Sequence, residues 1–357
     1  MHLTLLIPEL IWPEPDDQDT FSRLACPALA ALLSRTRAAA TRHRLAAPDT
    51  FDAAIADHFG LAADAPIAAL RLLGDGIAPG DESWACADPV HLRFHQERLV
   101  LADGAAVGID ANEADALVGE LNRYFADLGE FRRTAPDRWY LRLTSDVAFS
   151  AQPLSAMAGR RVDRQLPEDT GTAWLRKLLN EAQMVLHGHL ANEARADSGR
   201  MTINSLWLWG PGRLAASAAN APRHFDRVLA AHPLARGLAL HEGAQLGNAP
   251  AGFAELAAGT PPDEKVLVVL DDRLDAVQYE DGDAWARRLN ALDAAWFAPL
   301  QAAIRRGGTT LTLCASTIYG RLEWQIGRGD AWRLWRRSEP LAALAQRLAR
   351  DAGAVAP

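Results

Sequence analysis

Cysteine is scarce and scattered in this chain. Cys26, Cys86 and Cys314 are the only three in 357 residues, and no two form a C-x-x-C pair. That excludes a zinc knuckle and a disulfide framework, and leaves buried free thiols in a reducing compartment as the expectation. No apolar run reaches the length of a membrane span. Positive charge is also short: 37 basic residues face 45 acidic ones, a net charge of −8, so there is no electrostatic footprint for nucleic acid or an anionic membrane. The phosphate-loop, nucleophile-elbow, H-E-x-x-H and dinucleotide glycine motifs are all missing. No histidine follows His241. Met1–Ile7 has no basic leader region and no small-residue cleavage site before Pro8. It reads as a first β-strand rather than a signal peptide, and a cytoplasmic location is expected.

What is present is an α/β pattern. Residues 3–7 form a short apolar run of the kind buried in a parallel sheet. Helical periods follow over 21–37 and 51–59. A Gly/Asp/Pro cluster at 74–81 marks a turn, and a domain boundary is expected there. Strands are expected at 90–94, 98–101 and 139–143, with helices at 111–126 and 172–190. Beyond residue 200, strands at 205–208, 265–270 and 309–315 bracket a strong amphipathic helix over 283–306. Trp285, Leu289, Leu292, Trp296, Leu300 and Ile304 recur along it at steps of three or four, and Pro299 is expected to kink it. Gly210-Pro211-Gly212 is expected as a turn. The arrangement predicted is a core built from 1–80 plus 200–357, with a smaller α+β cap domain inserted at 81–199.

The residues that could carry chemistry are few. His187 and His189 stand two apart on different helix faces, and His224, His232 and His241 follow no metal-ligand spacing. Acids crowd the stretch 271–283, just past a strand end where α/β sheets form their sites. The preferred reading is a solvated loop with helix-capping carboxylates.

Several ordered segments carry a resemblance. Asn204-Ser205-Leu206-Trp207-Leu208-Trp209-Gly210 resembles the N-x-x-W-L-W-G motif of archaeal-type cofactor-independent phosphoglycerate mutases. His189-Leu190-Ala191-Asn192-Glu193-Ala194-Arg195, Leu166-Pro167 and Pro27-Ala28-Leu29 are similar to other segments of that family. Ala87-Asp88-Pro89-Val90-His91-Leu92 and Asn180-Glu181-Ala182-Gln183-Met184 look like signatures of its RpfE-type regulatory offshoot. The resemblance implies an alkaline-phosphatase-like core with a mostly parallel central sheet. It also implies a phosphoryl-transfer site with two divalent metals and a serine nucleophile.

The catalytic residues themselves do not carry over. Ile7-Pro8-Glu9-Leu10 stands where the family has D-G. Phe51 stands where it has the serine, with Thr50 one place off. Tyr279, or Gln278 with a slip of one, occupies a ligand-histidine position, and Cys314-Ala315-Ser316-Thr317 replaces D-H-x-T. Without ligands the site loses the charge that makes a phosphoryl group reactive. The reading is therefore an inactive homologue with a regulatory role, with no catalytic residues, no metal ligands and no cofactor. Asn192, Arg195, Arg200, Asn204 and Arg213 are the candidate contacts to a phosphorylated small molecule, or the partner is a regulatory protein; neither nucleic acid nor membrane is expected. The same polar residues would serve equally as domain-stitching hydrogen bonds. An active mutase or phosphatase with an altered Mn or Mg site is the alternative. A third reading is an interaction protein docking through Trp324–Trp335 and the arginines interleaved there.

Overall fold

The computed structural model describes residues 1–45, 49–62, 64–95, 98–145, 147, 149–159, 173–215 and 222–355. The expected Leu166-Pro167 feature lies outside them. The chain divides into two compact units, Met1–Gly60 with Asn220–Pro357, and Leu61–Ala219. The second unit thus interrupts the first, but its limits are not the 81–199 read from the sequence.

In the first unit, β1 (His2–Leu6) lies at the centre of a six-stranded sheet. Leu3, Leu5 and Leu6 are at most 1 % exposed, so both faces of the strand are covered, as the unbroken apolar run requires. It pairs in parallel with β9 (Lys265–Val269) on one side and β10 (Thr310–Thr317) on the other. Beyond β9 come the short strands β7 (Arg227–Leu229) and β8 (Gln245–Gly247), also parallel. The antiparallel β11 (Gly320–Ile326) closes the other edge. Three-residue strands carry too little period-2 pattern to be seen in sequence, which is why β7 and β8 were not expected.

The amphipathic segment 283–306 is helical throughout, but its irregularity sits before Pro299. Gly282–Leu292 passes through a π-turn, Asp293–Phe297, into Ala298–Arg306. Proline cannot donate to the carbonyl four residues back, and a wider turn accommodates it. The π-turn also aims Asp293 at another helix. Its carboxylate, 4 % exposed, accepts from Leu29 N (2.6 Å) and Ala28 N (3.2 Å) at the start of Pro27–Arg35. Pro27 at the first turn, with Asp293 supplying the cap that Cys26 does not, places that helix start well inside the expected 21–37.

The second unit is an antiparallel sheet of β2 (Ser83–His95), β3 (Arg98–Asp103), β4 (Gly129–Ala135), β5 (Arg138–Leu143) and β6 (Ser205–Arg213). Strand β6 pairs with β2, not with the parallel sheet, so residues 205–213 belong to this unit and not to the core. The expected turn at Gly210-Pro211-Gly212 is a bulge instead. Trp84 faces Gly212 while Cys86 faces Trp209, which leaves one extra residue in β6. Gly210 and Gly212 have φ of +59° and +153°, and a Cβ on either would come within 2.9 Å of Ile67 or Pro66. Helices Ala111–Tyr124 and Ala173–His187 pack on the face carrying Leu206 and Leu208; Ile67–Gly74 packs on the face carrying Trp207 and Trp209. All three cysteines are buried and free. Among the described residues no helix is long and apolar enough to cross a membrane.

Two consequences can be measured. Asp293→Ala strands two amide donors of a buried helix start and is expected to cost about 1–2 kcal/mol in urea denaturation. His43 packs edge-on against Trp324, and burial, helped by Arg347, lowers its pKa to about 4. A histidine whose folded pKa lies below its unfolded value of about 6.5 adds stability that is complete above that value and is lost as pH falls toward 4. Stability should fall through this window, and His43→Gln should flatten that part of the profile.

Candidate functional site

The five parallel strands of the first unit deliver their carboxyl ends to one edge of the sheet, the usual place for a site in this class of fold. After β1 comes Pro8-Glu9. Glu9 is 6 % exposed, sits at φ +50°, donates its N–H to Ser316 O (2.9 Å) and accepts Trp285 Nε1 on its carbonyl (2.8 Å). After β9 comes Asp271-Asp272-Arg273. The Arg273 guanidinium is buried, bonds Leu270 O (2.7 Å) and pairs with Asp272 (2.8 Å), and burial lowers its pKa. After β7 comes His232, leading the helix Pro233–Glu242; its Nε2 is 3.9 Å from Oδ1 of the buried Asp52 and its ring meets Phe51 edge-on.

Strand β10 ends in Ser316-Thr317, whose backbone receives the loop before the Phe51–His58 helix. Asp49 N donates to Thr317 O (3.1 Å), and the Asp49 carboxylate takes both prongs of Arg321, at 2.8 and 3.0 Å. Arg321 also pairs with Asp57 (2.6 Å). Burial works against its charge, yet the bonds and charges of these two aspartates keep its pKa raised. Burial pushes the Cys314 thiol up to about 12, so it carries no thiolate at neutral pH. Thr50, the only hydroxyl beside the position where the nucleophile was expected, accepts from Ala53 N (3.1 Å) as the helix cap.

This donor set does not fit a two-metal centre. Hard divalent ions need several carboxylates and imidazoles converging on a point. Here Asp49 is engaged by Arg321, and a buried guanidinium stands at the end of β9. No group of three or more His, Cys, Asp or Glu able to hold a metal occurs among the described residues. Within the acidic stretch 271–283, Asp275 pairs with Arg288, Asp283 with Arg23, and Asp281 caps Gly282–Leu292.

The five candidate phosphate contacts all belong to the second unit. Asn192 donates to Leu186 O and Ile203 O (both 2.7 Å) and accepts from Ile203 N (2.8 Å). Arg195, 0 % exposed, binds Met201 O, Gly108 O, Val107 O and Glu113. Arg200 reaches the same Glu113 at 2.9 Å. Asn204 clamps both backbone groups of Leu92 (2.7 and 2.8 Å), and Arg213 is exposed opposite Ser83 at the other end of β6. Two residues, Arg195 and Arg200, therefore meet on Glu113 and three do not. Asn192, Arg195 and Asn204 have their polar groups committed to backbone.

The tryptophan motif is likewise structural. Trp207 Nε1 bonds Gln152 O (2.9 Å) and Trp209 Nε1 bonds the fully buried Asp88 (2.8 Å), with Arg71 stacked 4.7 Å over the Trp209 ring and 3.6 Å from Asp88. Burial raises the Asp88 pKa, opposed by Arg71. The sequence reading missed His232 and the pair Asp49–Arg321. Only Pro233, which marks a helix start, hints at the placement of His232.

No family model matches the chain. It is 26% identical over 180 residues to 2,3-bisphosphoglycerate-independent phosphoglycerate mutase 2 of Methanothermobacter thermautotrophicus, covering 49% of this chain and 44% of that protein. It is 25% identical over 153 residues to the 2,3-bisphosphoglycerate-independent phosphoglycerate mutase of Methanosarcina mazei, covering 42% and 36%. These matches span less than half of the curated relatives. Among solved structures, the PH0037 protein from Pyrococcus horikoshii aligns over 99% of this chain and 96% of its own, with a TM-score of 0.54 and 13% identity. That likeness is one of fold: a mixed α/β chain with a mostly parallel sheet and a separate antiparallel sheet.

If Trp209 serves to satisfy Asp88, Trp209→Phe leaves a buried carboxylate short of a donor and should destabilise the protein by about 1–3 kcal/mol. Met184→Ala, on an exposed side chain, should stay within about 0.5 kcal/mol. Chemical denaturation of both variants checks the contrast.

Proposed function

We propose that this chain is a catalytically inactive homologue of the cofactor-independent phosphoglycerate mutases, of the RpfE-type regulatory kind, acting in the cytoplasm on an alkaline-phosphatase-like core. The observation that carries the proposal is the replacement of a metal-ligand set by arginine-held acids at the carboxyl edge of the parallel sheet. Phosphoryl transfer depends on concentrated positive charge at the phosphorus and on a positioned nucleophile. Arg321 and Arg273 supply fixed charge there, but both are bound to acids or carbonyls, and Thr50, beside the expected nucleophile position, is a helix cap.

The role left to such a protein is recognition of a phosphorylated small molecule or of a regulatory protein. Of the five candidate contacts, Arg200 and Arg213 keep guanidinium surface toward solvent. Arginine forks bind phosphate without a metal, so any binding should be independent of divalent ions.

The test uses 3-phosphoglycerate. Pure protein should contain no stoichiometric metal and should not turn the substrate over with Mn²⁺ or Mg²⁺. Calorimetric binding, where detected, should be the same with and without EDTA. Turnover together with bound manganese would establish the alternative, an active mutase or phosphatase with an altered metal site.

A further inference from the structure

Residues 328–339 carry four arginines and two acids in a chain whose net charge is −8. Within them, Trp335, Leu334 and Trp332 are 76 %, 53 % and 51 % exposed. Tryptophan and arginine are the residue types that dominate binding energy at protein interfaces. Exposed tryptophans of this size are uncommon, because each holds a large apolar area in water.

The segment is held in shape. It begins with the short helix Arg328–Ala331 and continues through turns closed by Arg333 N→Asp330 O (3.1 Å) and Leu334 N→Trp332 O (2.8 Å). Trp332 Nε1 is tied to Arg305 O (3.1 Å), Arg333 to Arg35 O (3.0 Å), and Glu339 N to Ser34 Oγ (2.8 Å). Presenting anchors on a backbone already ordered lowers the entropy cost of binding.

The local charge is unbalanced. Asp330 is taken by Arg37 and Glu339 by Arg347. Arg333 and Arg336 bond carbonyls, which neutralise nothing. Arg337 is exposed and has no ion-pair partner among the described residues. Nε and Nη1 of Arg35 are buried with no hydrogen-bond partner; burial lowers its pKa, and the neighbouring Arg305 lowers it further. Beside the tryptophans, Arg336 and Arg337 line a cavity of about 590 Å³ whose walls also carry Leu33, Leu348 and Trp324, together with Arg347 and the acids Glu339 and Asp351. That cavity has room for a large apolar side chain with its backbone at an arginine rim.

We propose that Trp332–Arg337 and the adjoining cavity form a docking site for an acidic polypeptide segment of another protein, anchored by an aromatic or aliphatic side chain. Charge complementarity selects the acidic partner. A membrane fits less well, since the apolar residues lie on turns rather than along an amphipathic helix, and the remainder of the chain is acidic. Nucleic acid would need a wider basic surface. The inference does not depend on whether the strand-end residues act on phosphate esters.

The test is fluorescence anisotropy with the full chain and a labelled glutamate-rich peptide containing a central Phe-Leu pair. Its lysine counterpart, phosphatidylglycerol vesicles and oligothymidylate are the comparison probes. The glutamate peptide should bind, more weakly as salt rises, and the lysine peptide should not. Arg337→Glu and Trp335→Ala should each weaken binding by at least about tenfold. Thermal melts report whether each variant is folded, and Arg337→Glu, a surface change, decides alone should Trp335→Ala unfold. The proposal is overturned by absence of peptide binding, by equal binding of the variants, or by binding to vesicles or oligonucleotide alone.

Discussion

Strand β1 needs hydrogen-bond partners on both edges, because both of its faces are buried and no water can replace a missing strand. Its partners are β9 and β10, with His2 opposite Lys265 and Thr310. That one requirement draws the two ends of the chain into a single sheet. It leaves everything between residues 61 and 219 to fold as its own unit. It also lines up the ends of β1, β9 and β10, so that Glu9, Arg273 and Thr317 come to one edge without any local sequence signal linking them.

At that edge several acids are held by arginines of the chain itself. Arg321 holds Asp49 and Asp57, Arg273 holds Asp272, and Thr50 serves its own helix. A metal site needs acids whose charge is left for the ion, whereas here the cations are covalently part of the chain. This arrangement holds the loop that carries Asp49 in place.

Much of the secondary structure was legible because it rests on local rules. The apolar run at 3–7 and the period over 283–306 are written within the segment itself. The short strands β7 and β8 were not legible, and His232 was set aside with His224 and His241 for want of a metal-ligand spacing. The W-L-W-G motif was read as a family resemblance, but what its residues do needed their partners. Trp209 is there for Asp88, and the two glycines are there because Ile67 and Pro66 leave no room for a side chain. Arg195 and Asn192 read as anion contacts for the same reason: a buried arginine satisfied by carbonyls looks in sequence like one waiting for phosphate.

Taken alone, the sequence determined the α/β pattern, the central apolar strand, the likeness to phosphoglycerate mutases and the lack of histidines after His241, since each depends on residue identity at short range. Only the tertiary structure decided where the units divide, which strand Ser205–Arg213 joins, and which polar groups are already occupied. Those outcomes depend on pairings across tens to hundreds of residues. Hydrogen-bond satisfaction and steric fit, rather than local propensity, choose among them.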